Sequence, residues 1–548
     1  FHGLRCLNTA QYDKAVSLTK PWFERFNQTP RLTEIQTRHA LLTYETNPQA
    51  ALDYFRNRLG LNFDHQKVIH GTSPSLPTAL DPKLISREAL ATHSTWRWSQ
   101  GQDNYEDSAI DWALTTKTEP NLRRHLLGRL NRPDVQDLSQ IVAADLRTQH
   151  SGGFGSLAAH GVMTLKQLDE LLKLTPEVIH QQRFVEQYVA RLHPTDDEDW
   201  RRDPKLTRAY LDRLLTFVRK LHPTFNPLKA HVLFHRLLLD ESQGKYDKAL
   251  FVEYLSLPRN QGYMSRTMLE AESARTTPAN LGGNYTPMTQ LNVVPADEQV
   301  VRSYLKHFLA DAKDPKEFEP FINDVYLQHL FAETQIENGA GEPETWAANL
   351  PPELFRQLKD RIDIDFSPTN RTEFGADEKV ELELFVKNVP SLMVKVFEVN
   401  TQNFYRAQGR EVDTAINLDG LVAGSEQTLT LDRSPFKRVS KKIAFPQIDK
   451  PGVYVVDFIG SGKSSRALIR KGRLRTLQAV GTAGQKLTVI DETDKIVPGA
   501  NVWRGGKEYK ADDKGVAVVP FSTTPGRRPI VISKGDGSSL DFLEHQPE

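Results

Sequence analysis

At 548 residues, the chain is too long to be organised around one hydrophobic core, and its length favours roughly three to four domains. Its composition, 39% hydrophobic and 26% charged, is that of a soluble globular protein and excludes a disordered or fibrous one. Lysine plus arginine and aspartate plus glutamate balance at 70 each. This balance excludes the basic footprint of a nucleic-acid-binding protein or of one held to anionic lipid. No run approaches the ~18 apolar residues of a membrane-spanning helix, so none is predicted.

The chain contains one cysteine, Cys6, so no intrachain disulfide can form. A core of this size can be stable without disulfides, and the scarcity of cysteine therefore does not fix the cellular compartment. The chain opens at Phe1, without methionine and without an apolar segment of the signal-peptide type. We expect it to be a processed or trimmed portion of a longer protein.

From about Asn8 to Arg361 the hydrophobic pattern is helical. The clearest case is Arg208–Leu221, where apolar residues recur at a period of 3.6. This helix is expected to end at His222-Pro223, because proline disfavours helical geometry in the residue before it. An earlier helix ends in the same way at Leu192-His193-Pro194, which indicates stacked helical hairpins. The apolar face of the later helix consists of Leu211, Leu214, Leu215, Val218 and Leu221.

A second internal similarity is the sequence Tyr-Asp-Lys-Ala, which occurs at Tyr12–Ala15 and again at Tyr246–Ala249. Both segments are similar to the second half of a tetratricopeptide hairpin, where a small alanine lets neighbouring helices approach. Asn47–Ala51 is typical of a helix start, with proline in the first turn. No strict 34-residue period emerges. We therefore predict an irregular α-helical array of αα-hairpin repeats over residues 1–360, in one or two subdomains, with a regular tetratricopeptide solenoid as the alternative. Loops are expected at Ser151–Ser156 and Thr276–Pro295.

After Arg361 the period changes to 2, which predicts β-strands. The short strands are separated by Gly, Pro, Asp and Ser and favour two antiparallel β-sandwich domains, at 361–475 and 476–548. Val380–Val386 and Leu392–Val399 are expected to form a hairpin across Lys387–Pro390. The other predicted strands are Gln427–Leu431, Val439–Phe445, Val453–Ile459, Arg466–Arg470, Lys486–Asp491, Ala500–Arg504, Val516–Pro520 and Pro529–Ser533. Turns are expected at Arg504-Gly505-Gly506 and Asp512–Gly515.

One segment, Gly460–Ser464, looks like the end of a phosphate-binding loop. The full pattern needs another glycine where this chain has Asp457, and a carboxylate there would repel phosphate. A phosphate loop must also lead into a helix whose amides face the anion. Here strands are predicted on both sides, so we interpret the segment as a hairpin turn.

His231 and His235 lie four residues apart on a predicted helix and could share one face as metal ligands, with Asp240 and Glu241 following. The metalloprotease pattern needs Glu directly after the first histidine, and Val232 stands there. We favour core or surface histidines and retain a metal-dependent enzyme as a third reading.

Three further patterns carry little chemistry. The acidic run Asp196–Asp199 has no central glycine for a calcium loop and is interpreted as a solvated turn that caps the next helix. Cys6 has no identifiable base, and an inert thiol is favoured. Asn284-Tyr285-Thr286 and Asn370-Arg371-Thr372 match the glycosylation pattern, which also arises by chance.

We predict no catalytic, cofactor-binding or metal-ligating residue, no cofactor, and a protein that is not an enzyme.

The β part resembles a known family, the bacterial α2-macroglobulin-like proteins, also described as large extracellular α-helical proteins. The resemblance rests on the order of several short motifs along the C-terminal third. These are Ile362–Phe366, Val380–Val389, Leu392–Asn400, Asn417–Leu421, Pro451–Val456 and Ser465–Ile469, and then Leu487–Asp491, Thr493, Pro498–Val502 and Asp513–Val516.

The resemblance implies two macroglobulin-like sandwiches in a secreted or periplasmic protease trap, that is, an endopeptidase inhibitor. Such traps often carry a Cys-x-Glu-Gln thioester, whereas Cys6 is followed by Leu7-Asn8-Thr9. The chain is thus expected to be a non-catalytic, N-terminal portion, extracellular or periplasmic, whose partners are target proteases or other domains of the same polypeptide. The alternative is a helical-repeat protein-interaction scaffold with β-sandwich spacers and no inhibitor activity.

Overall fold

A computed structural model describes most of the chain. The described residues are 2–59, 105, 107–116, 119–195, 198–431, 435–524 and 526–545. They divide into two compact units, one made of Phe1–His193 with Thr286–Gln290 and the other of Pro194–Tyr285 with Leu291–Glu548.

Helices occupy the N-terminal two thirds of the described chain. They are α1 (His2–Asn8), α2 (Tyr12–Phe26), α3 (Pro30–Leu42), α4 (Pro48–Leu59), α5 (Ile110–Thr116), α6 (Pro120–Arg129), α7 (Leu138–Leu146), α8 (Ala158–Val162), α9 (Leu165–Leu174), α10 (Gln182–Leu192), α11 (Pro204–Val218), α12 (Asn226–Ser242), α13 (Lys248–Leu255), α14 (Arg266–Glu270), α15 (Glu272–Thr276), α16 (Thr286–Thr289), α17 (Glu298–Leu309), α18 (Asp324–Asn338), α19 (Pro343–Ala347) and α20 (Pro352–Asp360). Short 3₁₀ turns lie at Asp107–Ala109, Pro176–His180, Pro223–Phe225 and Lys316–Phe318.

Within each unit, helices that follow one another along the chain tend to pack together, as α2 packs on α3 and α11 on α12. The starts follow capping rules. The side chain of Asp203 accepts a hydrogen bond from the Lys205 amide at 2.7 Å at the start of α11, and Asn47 does the same for Ala50 at 3.2 Å at the start of α4. Such caps satisfy amides that the first turn leaves without partners.

The predicted helix ends agree with the structure to within a few residues. Helix α10 ends at Leu192, directly before His193-Pro194. Helix α11 ends at Val218, and a 3₁₀ turn begins at Pro223. Its predicted apolar face is buried throughout. The two alanines of the tetratricopeptide-like segments differ in the structure, because Ala15 in α2 is buried whereas Ala249 in α13 is exposed and cannot serve a close approach of helices.

The first sandwich has two sheets. Its elements are β1 (Asp363–Phe366), β2 (Glu373–Phe374), β3 (Glu381–Lys387), β4 (Ser391–Val399), helix α21 (Thr401–Gln408), β5 (Ser425–Thr430), β6 (Val439–Ala444), β7 (Gly452–Gly460) and β8 (Lys463–Lys471). One sheet has the order β1-β3-β6 and the other β2-β8-β7-β4-β5. Neighbouring strands are antiparallel except β2 and β8, which are parallel. Alternate residues of both sheets, such as Leu382, Leu384, Val394, Val456 and Phe458, form the core between them.

The predicted hairpin of β3 and β4 is wrong, because these strands belong to different sheets. Their connection turns at Asn388, which has a left-handed φ of 57°. The side-chain amide of Asn388 donates to the carbonyls of Lys359 (2.6 Å) and Arg361 (2.9 Å). The buried Lys387 ammonium also donates to the Arg361 carbonyl, at 2.8 Å. These bonds hold the connection against the end of α20, so the chain crosses the core instead of folding back beside β3.

The second sandwich also has two sheets. Its strands are β9 (Leu474–Gly481), β10 (Gly484–Asp491), β11 (Asn501–Arg504), β12 (Lys507–Lys510), β13 (Val516–Val519), β14 (Gly526–Lys534) and β15 (Gly537–His545). The sheet orders are β13-β10-β9 and β12-β11-β14-β15. Leu487, Val489, Val502, Ile530 and Ile532 lie between them. Strands β9, β12 and β15 were not predicted from the sequence.

A hydrophobic cluster joins the two sandwiches, and we call it the junction cluster. It contains Tyr405 of α21 together with Val455 and Leu468 of the first sandwich and Val531 and Leu540 of the second. Each such side chain contributes about 1.5–3 kcal/mol when it is withdrawn from water. The tandem is therefore held by a shared core as well as by its covalent connection.

Among the described helices, none combines the length and apolar character that crossing a lipid bilayer requires.

Candidate functional site

A charged cavity of about 500 Å³ lies within the second unit. Three parts of the chain line it: the segment Glu198–Leu206 that leads into α11, the first sandwich and the second sandwich. The segment before α11 is ion-paired to what surrounds it. Arg473 Nη1 lies 2.7 Å from Asp199 Oδ2, and Arg202 Nε lies 2.8 Å from Glu373 Oε1. Burial opposes the charge of Arg202, but the carboxylates of Glu373 and Asp199 outweigh it, so the pKa of Arg202 is raised.

The remaining arginines of the cavity also face carboxylates. Arg371 pairs with Glu378 at 3.2 Å, Arg470 pairs with Glu411 at 3.3 Å, and Arg475 pairs with Asp494. Because these pairs are partly exposed, each is worth about 0.2–1 kcal/mol.

Three further carboxylates of the cavity accept hydrogen bonds from the backbone. Glu492 accepts from the amides of Ala376 (2.7 Å) and Arg473 (3.2 Å). Asp203 caps α11, and Glu198 accepts from the Thr195 amide at 3.1 Å. The charged groups of the cavity are thus engaged with one another and with the backbone. Chemically the arrangement ties the segment before α11 to the first sandwich and to Arg473 in the connection between the sandwiches, and Glu492 ties the second sandwich to the first; we call it the ionic joint.

The two histidines considered as metal ligands do come together on α12, with ring centroids 4.7 Å apart. His235 Nε2 lies 2.8 Å from the Asn292 carbonyl, which can only accept, so Nε2 carries the proton and cannot bind a metal. Burial, with a smaller contribution from His235, lowers the pKa of His231 to about 3. Asp240 is ion-paired to Arg208. In the described part of the chain, no group of three or more His, Cys, Asp or Glu side chains has the arrangement of a metal site.

The remaining candidates also have structural roles. Gly460–Ser464 spans the turn between β7 and β8, in which Ser461 and Gly462 have positive φ. Lys463 Nζ donates to the Ile362 carbonyl at 3.1 Å, and a strand follows instead of a helix. Cys6 is buried on α1, with its Sγ 4.0 Å from Nε2 of His2. A base is therefore near this thiol, but burial closes the thiol to a substrate.

The acidic run lies only partly within the described residues. Asp196 and Asp197 lie outside them, and Asp199 belongs to the ionic joint. The Asn370 side chain is paired with strand β3: it donates to the Glu383 carbonyl at 2.7 Å and accepts from the Glu383 amide at 2.8 Å. Modification of Asn370 would break these bonds.

Sequence reasoning missed a fully buried charged cluster in the helical part of the second unit. Arg259 and Asp297 are 1% and 0% exposed and lie 2.9 Å apart. Asp297 Oδ2 also accepts from the hydroxyls of Tyr254 (2.6 Å) and Tyr263 (2.5 Å). Burial and the Asp297 charge raise the pKa of both tyrosines, although Arg259 opposes the shift. Tyr254, Arg259 and Tyr263 lie close together in the sequence, but Asp297 is 38 residues beyond Arg259, so no local spacing reveals the cluster.

The comparisons with known proteins decide the family. The model of the "Actin-binding protein F N-terminal domain" matches residues 84–362, just over half of the chain. The chain belongs to the actin-binding protein F family. The model of the family's first immunoglobulin-like domain matches residues 392–472, within the first sandwich. The protein is accordingly a helical N-terminal region followed by immunoglobulin-like β-sandwich domains.

The chain is also similar to actin-binding protein F of Dictyostelium discoideum, with 28% identity over 565 aligned positions. The alignment covers 95% of this chain but 23% of that protein, so the chain spans about a quarter of its relative's length.

Two solved structures have weaker likeness. The Escherichia coli α2-macroglobulin segment MG0-NIE-MG1 has a TM-score of 0.25 at 14% identity over 33% of this chain and 64% of that chain. A chimeric titin Z1Z2 tandem has a TM-score of 0.18 at 14% identity over 33% of this chain and 95% of that chain. At these scores neither likeness distinguishes one sandwich family from another.

The family match corrects four expectations. The bacterial α2-macroglobulin-like resemblance is wrong, because the matching models and the similar curated protein are those of actin-binding protein F. The protease trap, the endopeptidase-inhibitor function and the extracellular or periplasmic location rested on that resemblance and fall with it. The physical reason is that alternating strands and Asp-x-Gly turns specify a sandwich but not its family. The match favours the alternative, an interaction scaffold with sandwich spacers.

Proposed function

We propose that this chain is a non-catalytic actin-binding segment, in which the helical region and the tandem sandwiches present surfaces to protein partners. The observation that carries the proposal is the match of residues 84–362 to the N-terminal domain model of actin-binding protein F. The alignment with the Dictyostelium protein over 95% of the chain supports it. A cytoplasmic location follows as part of the proposal and is checked by imaging a fluorescently tagged chain.

The structure supports a scaffold through the way its parts are connected. The junction cluster and the ionic joint bind α11 and both sandwiches to one another. We propose domain boundaries at 1–360, 361–475 and 476–548, with the two sandwiches acting as a spacer of defined geometry. A spacer held by packing presents neighbouring surfaces at a constant separation and lowers the ordering cost of binding.

The absence of catalysis is part of the same proposal. The arginines and carboxylates of the charged cavity are engaged in the ionic joint, so their charges stabilise the fold. A screen of the purified chain against ester, phosphate and peptide substrates tests this. Turnover that disappears when Arg202 or Glu373 is replaced would contradict the proposal.

Actin binding is tested by co-sedimentation of the full chain with actin filaments. The chain alone should stay in the supernatant, and with filaments it should pellet to a saturable extent. A neutral control protein of similar mass corrects for trapping. Failure to pellet above that control over a range of filament concentrations, at both low and physiological ionic strength, would contradict the proposed function.

A further inference from the structure

A groove of about 630 Å³ lies between the two sandwiches. It shares Tyr405 with the charged cavity but none of the charged residues of the ionic joint. One wall is the C-terminal half of α21 with Gly409, which belongs to the first sandwich. The other is the β11–β12 hairpin, the segment Pro520–Ser522 and the start of β14 at Arg528–Pro529. The groove therefore exists only while the junction cluster holds α21 against the second sandwich.

The charges that line the groove are all positive: Arg406, Arg504, Lys507 and Arg528. Arg406 is neutralised by Glu508 at 2.5 Å. In the part of the chain that the structure describes, no carboxylate lies within ion-pair distance of the other three, whereas the adjacent Arg527 reaches Glu544 at 3.9 Å. In a chain with no net charge, this is a local excess of about three positive charges. Clustered charge of one sign attracts a partner of opposite sign.

The floor of the groove is aromatic. Trp503, Tyr509 and Phe521 are half-buried and Tyr405 is buried. The Arg406 guanidinium lies over the Trp503 ring, 5.6 Å from its centroid, which fixes the orientation of both groups. Tryptophan, tyrosine and arginine are the residues that most often carry binding energy in protein interfaces. A large apolar side chain would meet aromatic side chains there, with cations beside them.

The shape and the extent of the charge favour a protein segment over other anions. A bilayer surface is flat and cannot enter a concave groove. A nucleic acid would need a basic surface that extends well beyond three side chains, and the charge balance of the chain excludes such a footprint. An extended acidic peptide can lay carboxylates along the rim and insert a side chain between them.

We propose that this groove is a docking site for an extended acidic protein segment that carries a large apolar side chain. The site goes beyond the proposed function, because its occupant is defined by this chemistry and binds in the absence of actin.

The test uses the full chain and a fluorescein-labelled synthetic peptide of aspartate and glutamate around one leucine, followed by fluorescence anisotropy. The groove variant is R504E/K507E/R528E. We expect the wild type to bind the peptide and the groove variant to bind it about tenfold more weakly or worse, with the affinity of the wild type falling as salt increases. W503A should weaken binding as well, and replacing the leucine of the peptide by serine should lower affinity for the wild type.

The matched control is K495E/K510E/K514E, which changes the same charge on exposed lysines of the same sandwich outside the groove lining. Its affinity should stay within about twofold of the wild type. Near-UV circular dichroism checks that each variant is folded. Equal weakening by the control variant, no binding by the wild type, or tighter groove-dependent binding of phosphatidylserine vesicles or of an oligonucleotide would overturn the proposal.

The same variants are then measured in actin co-sedimentation. If the groove variant still pellets with filaments but loses the peptide, both proposals stand. If the wild type binds the peptide but does not pellet, the actin proposal fails alone. If it pellets but does not bind the peptide, the groove proposal fails alone.

Discussion

Replacing Asp297 by alanine is expected to lower the free energy of unfolding of the surrounding helices by about 5–7 kcal/mol. The Asp297 carboxylate is the acceptor for Arg259 and for the hydroxyls of Tyr254 and Tyr263. Without it, a guanidinium that is 1% exposed loses its counter-charge, which costs about 3–5 kcal/mol. Two buried hydroxyls also lose their acceptor, at about 1 kcal/mol each when the site relaxes.

Because the chain has several domains, a single global transition would blur this effect. Native-state hydrogen exchange of the α13 amides (Lys248–Leu255) reports the local opening free energy directly. A surface control, Glu319→Ala, removes an exposed carboxylate and should change it by less than about 0.5 kcal/mol. The double variant R259M/D297A should recover part of the loss, because it removes both charges. A loss below about 1 kcal/mol, or no recovery in the double variant, would refute the reasoning.

Three further outcomes are expected. Burial, with a smaller contribution from Arg124, lowers the pKa of His160 to about 4. Between about pH 6.5 and pH 4, His160 is therefore protonated in the unfolded chain and neutral in the folded chain. The stability that depends on neutral His160 is thus fully present above about pH 6.5 and falls as the pH is lowered. In urea titrations, the free energy of unfolding of the wild type should fall by about 2 kcal/mol by pH 5, and that of H160Q should not show this loss. G515A should cost about 2–3 kcal/mol in thermal unfolding, because its φ is +72° and the new Cβ would lie 2.5 Å from an isoleucine carbon, whereas G505A meets open space and should cost about 1. R473A should cost less than about 1 kcal/mol, and the loss should shrink at high salt, because the pair it forms in the ionic joint is partly exposed.

The periodic parts of the fold could be predicted from the sequence. The 3.6-residue spacing of Leu211, Leu214 and Val218 depends only on one helix facing one core, and the structure buries that face. Most strands were located for a similar reason, since the alternation along β3 depends on burial of a single face, whereas β7 is a largely apolar run that is buried on both faces.

Properties that depend on which elements meet could not be predicted in this way. The alternation of β3 and β4 is the same whether the strands pair or face each other across the core, and the bonds of Asn388 to the end of α20 decide between these outcomes. Helix α21 was missed, because Tyr405 packs on strands more than a hundred residues later in the chain. The buried pair of Arg259 and Asp297 is equally non-local. The same limit explains the wrong family, because local strand and turn patterns recur in unrelated sandwiches.

The junction cluster has a mechanical consequence. When a chain is pulled between two partners, an ordinary tandem of sandwiches first straightens at its linker, which takes up slack at little force. Here a change of angle between the two sandwiches requires withdrawing Tyr405 and its neighbours from Val531 and Leu540, which exposes apolar surface to water. Under tension the two sandwiches would therefore keep a fixed angle to each other. The distance between the two ends of the tandem would change little until the load ruptures the packing.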